Sequence, residues 1–369
     1  MADSQMIIVR CSAEQKIQTR KNHWSNWGAP LGFTEQGWVD RFAQMEQHAW
    51  AERDRYVTWA LVRKDDPTST DMLAHCEIFK RKSIAANPGS SQVKEVFSYG
   101  IASVFTPPPN RGKGYARILL RMLHYVIAPP TLLPPFPSHW GTAPDIGGFR
   151  DAAFSVLYSG VGDKYYATCR RGDGESSQAG WVRHKVTLRT WKVSTIEGEE
   201  TGQEGWEWLG ADSLGSLEEA IEQEMIQGLG KDASDRYRFA ILPSWSLFKV
   251  HALRSEISPA SKKYPGRPYG LVLPATNGND ESQRPFATWT FPEGEAAEPT
   301  LEVTCARHAV PFEAIQTAAR KAGCRKISMW GSTGDWDKYG PELDENEPVP
   351  CYVVYGRKAE ECDWNWAQQ

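Results

Sequence analysis

Between residues 104 and 126 the chain runs from an apolar stretch into Arg111-Gly112-Lys113-Gly114-Tyr115-Ala116 and then into a patterned helix. Those residue types at that spacing suit a phosphate. A helix N-terminus offers backbone N–H groups without intrahelical acceptors and a partial positive charge, and glycines let an anion close in on the backbone. Gly112 and Gly114 have no Cβ to obstruct a pyrophosphate, while Arg111 and Lys113 add charge. Taken alone, the same turn is equally a plain strand-to-helix connection. It is not a Walker A, because no Gly-Lys-Ser/Thr follows at the needed spacing. Nor is it a Rossmann turn, since the third glycine and an acidic residue about 20 positions on are absent.

The elements that must position this turn are legible around it. Val96–Phe105 reads as a strand ended by Pro107-Pro108-Pro109, which offer no N–H to a ladder. Tyr115, Ile118, Leu119, Met122, Leu123 and Val126 recur at helical spacing and predict a helix to Ile127, stopped by Pro129-Pro130. Upstream, Met6–Arg10, Tyr56–Val62 and Leu73–Phe79 predict strands, and Thr34 predicts the cap of a helix through Ala49. Downstream come a long proline-rich loop over 128–149, a strand at Phe154–Tyr158 and a short helix at Gly162–Arg170. A strand at Trp181–Trp191 closes the first half.

Residues 194–205 are acidic and glycine-rich and read as a linker between domains at 1–193 and 206–369. Past it, a helix capped by Ser216 leads to strands around Tyr269–Leu273, Phe286–Phe291 and Leu301–Ala306. A helix at Pro311–Ala322 and a strand at Lys326–Trp330 follow. Strand, strand, strand, helix, strand is also the order from Tyr56 to Tyr158, which predicts a degenerate repeat.

Composition narrows the class of function. A formal charge of -4 and the lack of a Lys/Arg block argue against nucleic acid. The seven cysteines form no CxxC pair, so neither a zinc site nor a disulfide framework is indicated. No apolar run is long enough to span a bilayer and no signal-like segment opens the chain, so a reduced, cytoplasmic protein away from the membrane is expected. The sixteen tryptophans suit packing or a ligand cleft. Oligomeric state is not legible.

The pattern Arg-x-x-Gly-x-Ala at Arg111, Gly114 and Ala116, with its preceding strand and following helix, resembles the acetyl-CoA loop of the GNAT acetyltransferase superfamily. The resemblance implies an α/β (α+β) fold, with a mixed, splayed β-sheet flanked by helices. It implies acetyl-CoA as co-substrate; with no CxxC pair in the chain, no metal is expected. Ser103, Val104 and Phe105 would expose backbone groups to the pantetheine and thioester, and Gly112, Lys113, Gly114, Tyr115 and Ala116 would take the pyrophosphate beside Arg111. In the family, a strand and then a helix with a Phe/Tyr-Tyr pair sets a tyrosine hydroxyl by the CoA sulfur. Tyr166 matches that position, with Tyr165 as its neighbour. A phenol of pKa ~10 can return a proton to a departing thiolate. Alternation places His75, Glu77 and Phe79 on one strand face, where Glu77 or His75 could take the amine's proton or form an ordinary salt bridge. Tyr99 could orient the amine.

The strings YGIASVFTPPPNRGKGYARILLRMLH and FSVLYSGVGDKYY, with DRYRFAILPSWSLFKVHALRSE in the second half, look like the fungal lysine N-epsilon-acetyltransferase family. That resemblance implies transfer to the side-chain amine of free lysine, a step of amino-acid catabolism. The Pro-Pro-Pro-Asn run before Arg111 and the ending CDWNWAQQ depart from the family pattern. In the second half Arg307-His308-Ala309-Val310-Pro311 replaces the glycine turn, so that half should bind no CoA and should wall the substrate cleft. A free amino acid there needs partners for both its charges, and Arg254, Glu256 and Glu302 are candidates. The alternatives are another small amine, such as a polyamine or an amine-bearing natural product, or a catalytically silent acetyl-CoA-binding protein.

Overall fold

Alternation of side chains organises the first sheet. In the computed structural model, residues 5–366 are described apart from 142, 145, 163, 195–204, 233, 264–265, 275–283, 295–296, 308, 332–333 and 345–348. The chain begins with β1 (Met6–Arg10), α1 (Ala13–His23) and α2 (Glu35–Met45). Next come β2 (Tyr56–Arg63), β3 (Ala74–Ala86), β4 (Val93–Phe105), α3 (Tyr115–Ile127) and β5 (Ala152–Ser159). The five strands lie in the order β1-β2-β3-β4-β5, antiparallel except for β4 and β5, which are parallel with α3 as their crossover. Trp59, Cys76, Ile78, Tyr99 and Ile101 pack with Leu119, Leu120 and Leu123 of α3 in one core. Tyr56, Glu77, Phe79 and Arg81 therefore face the other side, toward α1 and α2.

The expected cap of α2 is present: Thr34 accepts a hydrogen bond from the Gly37 amide at 3.0 Å. α1 was not foreseen, because the residues it buries are Gln15, Thr19, Arg20 and His23, which give no apolar stripe. Its start is marked instead by a capping box, in which Ser12 and Gln15 each accept the other's amide proton.

The rest of the chain forms β6 (Val182–Arg183), β7 (Leu188–Lys192), β8 (Glu207–Leu209), α4 (Glu218–Lys231), β9 (Tyr237–Ile241) and α5 (Leu247–Glu256). It continues with β10 (Gly270–Val272), β11 (Phe286–Thr290), β12 (Thr300–Arg307), α6 (Phe312–Lys321) and β13 (Lys326–Trp330). β14 (Glu342–Asp344), β15 (Val349–Val354) and β16 (Cys362–Trp364) end it. The second sheet has the order β14-β7-β13-β12-β11-β10-β8. Its segment β10-β11-β12-α6-β13 repeats β2-β3-β4-α3-β5: three antiparallel strands, a helix, then a strand parallel to the third.

The sheets do not part at the linker. β7, from the first half, pairs with β13, while β15, from the second half, pairs with β5. β9 also joins the first sheet. β2 covers β3 only from Ala74 to Phe79, and β9 takes the same edge from Ser83 to Ala86, where an open edge would leave its backbone groups unpaired. Three local expectations change with this. The strand expected over 181–191 breaks into β6 and β7 in different sheets. The helix expected at 162–170 is a single tight turn at Tyr166–Thr168. α4 starts at Glu218 after a 3-10 stretch, and the Ser216 hydroxyl donates to Ser213 O instead of capping it. The linker lies almost wholly outside the described residues. Among those residues no helix is long and apolar enough to cross a membrane.

Candidate active site

Two irregularities in the first sheet meet at one place. Against β3, the register of β4 slips: His75 lies opposite Phe105 but Glu77 lies opposite Ala102, so Ser103 and Val104 together face Cys76. This is a β-bulge, and Ser103 takes the left-handed conformation, φ 52°, that non-glycine residues rarely adopt. On the other edge of β4, pairing with β5 stops at Ile101–Leu157, although the strands continue to Phe105 and Ser159. The two strands part into a wedge, and Ser103, Val104 and Phe105 stand along it.

The turn that follows lies beyond the end of β4. Gly112 (φ 76°) and Gly114 (φ 81°) both hold conformations suited to glycine, and a Cβ added to either would meet nothing within 4 Å. Open space over two glycines is what a pyrophosphate approaching the backbone requires. Gly114 occupies the N-cap of α3 and has no side chain to cover the first amides of the helix, which leads with Tyr115 and Ala116. Arg111 folds back, its Nε donating to Thr106 O at 3.2 Å and its guanidinium 5.4 Å from the Phe105 ring. Lys113 is exposed.

On the α1/α2 side of the wedge is a cavity of about 410 Å³. Glu77 is on its wall and fully buried, accepting hydrogen bonds from the Tyr56 hydroxyl (2.6 Å) and the Ser103 hydroxyl (2.7 Å). Loss of solvation raises the Glu77 pKa, and the two hydroxyls oppose that rise. The left-handed Ser103 is thus the residue that reaches the carboxylate. His75 lies on the same face, 5.5 Å from the Phe105 ring and 5.7 Å from His23. Burial lowers its pKa to about 3, so its imidazole is neutral and a poor proton acceptor at neutral pH. Trp38, Phe42, Trp50 and Phe79 make the wall apolar, which puts part of the tryptophan excess in a cleft.

The tyrosine pair lies on the α3 side of the sheet. Tyr166 is buried in the α3 core, 5.2 Å ring to ring from Tyr165. The ionisable groups acting on it include Cys76 of β3 and Cys351 of β15. Cys76 stands opposite the bulge and Cys351 pairs with Leu157, the last residue of β5 held to β4. Burial raises the Tyr166 pKa and keeps the phenol protonated; Tyr165, half-buried, is pushed up to about 12.

The other expected contacts divide. Arg254 lines the cavity and pairs with Glu293 at 2.7 Å. Tyr99 does not: strand alternation turns it to the α3 side, where its hydroxyl donates to Asp151 at 2.7 Å. Glu256 ends α5 and is exposed. Glu302, on β12, feels Arg254 and Glu293 electrostatically without lining the cavity. Sequence reasoning missed Tyr56, Arg41, Arg81 and Glu293. Tyr56 lies on the neighbouring strand two positions out of register with Glu77, and Glu293 follows β11 by three residues. Only the three-dimensional pairing joins them.

The sequence profile of a family described as "LYC1 GNAT-like C-terminal domain" matches residues 190–369. Two solved structures share the fold. One, from Enterococcus faecalis V583 and described as "probable N-acyltransferase", has TM-score 0.54 at 9% identity, covering 95% of this chain and 72% of its own. A GCN5-related N-acetyltransferase from Kribbella flavida has TM-score 0.51 at 12% identity with the same coverages. The chain has the GNAT fold, with a LYC1-like C-terminal domain. No curated protein sequence matches the chain. In this GNAT-fold chain the bulge, wedge and glycine turn fall on the residues that carried the sequence resemblance.

Proposed function

We propose that the protein transfers the acetyl group of acetyl-CoA to the primary amine of a small molecule held in the Glu77 cavity. The side-chain amine of free lysine is the acceptor favoured by the sequence resemblance. The observation that carries this reading is the meeting of three features at one wedge: the bulge at Ser103–Val104, the open glycine turn, and a largely apolar cavity with the buried carboxylate of Glu77.

Acetyl-CoA supplies a thioester as the acetyl donor. The amides from Gly112 through Ala116 hold its pyrophosphate, with charge from Arg111 and Lys113, and the freed backbone of Val104 and Phe105 steadies the acyl end. Glu77 removes a proton from the acceptor's ammonium while Tyr56 and Ser103 fix its carboxylate. Its raised pKa brings the base closer to neutral pH, where general bases work best. The neutral amine attacks the carbonyl carbon, the C–N bond forms and the C–S bond breaks. Tyr166 gives its proton to the departing thiolate, and the attacking nitrogen releases its second proton to solvent as the amide forms; Tyr165 is the neighbouring donor.

The test is thiol release from acetyl-CoA with a panel of amines. Release with lysine supports the assignment. Release with polyamines alone moves the acceptor to that class, and binding of acetyl-CoA without release with any amine makes the protein a silent binder.

A further inference from the structure

Arg81 is the one charge on the cavity-facing side of β3 that the proposed reaction does not use. It lies four residues beyond Glu77, on the same face, in the gap between the stretches of β3 covered by β2 and by β9. Its side chain lines the cavity with its guanidinium 5.5 Å from the Phe79 ring, and it is 9% exposed. Its Nη1 is buried and meets no hydrogen-bond acceptor among the described residues.

The other arginines of the cavity share one carboxylate. Arg41 and Arg254 both pair with Glu293. The charges acting on Arg81 are Glu218, which attracts it, and Arg55, which repels it. Glu218 accepts the Ser246 amide through Oε2 at 2.9 Å at the start of α5, its Oε1 meets no donor among the described residues, and burial raises its pKa to about 7. Arg81 itself stays charged at neutral pH, since burial lowers it only to about 10. A buried guanidinium with an unfilled donor is costly, and the cost is relieved when an anion arrives.

We propose that Arg81 binds a carboxylate of the acceptor, which makes the substrate class amines that carry a carboxylate at the end remote from the reacting nitrogen. The inference rests on the reading of this cavity as the acceptor site. At ~3.3 Å per residue the Cα atoms of Glu77 and Arg81 are about 13 Å apart. One cavity thus has a buried anion near the wedge, a buried cation further along the strand, and Phe79 between them. An ammonium and a carboxylate joined by a short apolar chain match that order of charges. A diamine would instead bring its second ammonium against Arg81, so the same residue selects against polyamines.

The experiment measures kcat/KM by thiol release for lysine, lysinamide and 1,5-diaminopentane, with the unaltered protein and with Arg81→Met and Arg81→Lys. The unaltered protein should favour lysine over the other two by ~10²-fold. Arg81→Met should collapse that preference to within about threefold, and Arg81→Lys should keep part of it, because an ammonium retains the charge and loses the two-pronged geometry. Similar kcat/KM for all three amines with the unaltered protein overturns the proposal, and this comparison stands even if Arg81→Met does not fold. An equal loss on all three amines in Arg81→Met also overturns it, since that marks a structural role. Turnover of none of the three by the unaltered protein overturns the acceptor reading as well.

Discussion

The two halves of the chain make the same strand-to-helix crossover in different ways. In the first, the path from Phe105 to Tyr115 is long, Gly112 and Gly114 are left-handed with open space above them, and α3 is capped by a glycine. In the second, β12 ends at Arg307 and α6 begins at Phe312, with Pro311 at the N-cap and Ala309 in the left-handed position (φ 57°). Both crossovers join parallel strands and both helices bury one face. One leaves its helix N-terminus bare toward a place an anion can reach; the other spends the same positions on a short, proline-capped turn. The topology recurs in the two sheets, and the proposed chemistry belongs to the turn of one.

Substitutions can break or sharpen that contrast. Gly114→Val puts a branched side chain at φ 81° where the pyrophosphate approaches, and thiol release should become undetectable. Glu77→Gln should lower kcat by roughly 10³-fold while leaving the affinity for acetyl-CoA unchanged by calorimetry. In the unaltered protein kcat/KM should rise with pH as Glu77 loses its proton, with the limb displaced upward from the ordinary carboxylate range because burial raises that pKa. Glu77→Gln should flatten the limb. Tyr166→Phe should cost ~10²-fold in kcat, and an unchanged kcat would transfer the acid role to Tyr165.

Smaller effects follow. Ser103→Ala removes one of the two hydroxyls that oppose the rise in the Glu77 pKa, so the acidic limb should move to higher pH and kcat should fall about tenfold. In the other half, Pro311→Ser gives α6 a side-chain cap. It should raise stability by about 0.5–1 kcal/mol in chemical denaturation without altering thiol release.

What could be read from the sequence follows from how local each feature is. The turn at 111–116, the α3 stripe and the strands around them depend on neighbours within a few residues, and all were legible. α1 escaped because its buried face is polar, and α5 because Leu247–Glu256 has little amphipathic pattern. The exchange of β7 and β15 between sheets could not be read, since a short alternating strand does not encode its partner. Tyr99 and Glu77 illustrate the same limit within the site. Both lie on strands of the expected kind, but the bulge at Ser103 and the phase of β4 decide which of them meets the cavity. Arg81 lies in the charged run Lys80-Arg81-Lys82, and its burial beside the edge that β9 takes is not legible from that run.

The most direct test of the central claim is calorimetric titration of the chain with acetyl-CoA, in parallel with Gly114→Val. One site per chain is expected, lost in the variant. Two sites per chain, or one that survives Gly114→Val, would contradict it.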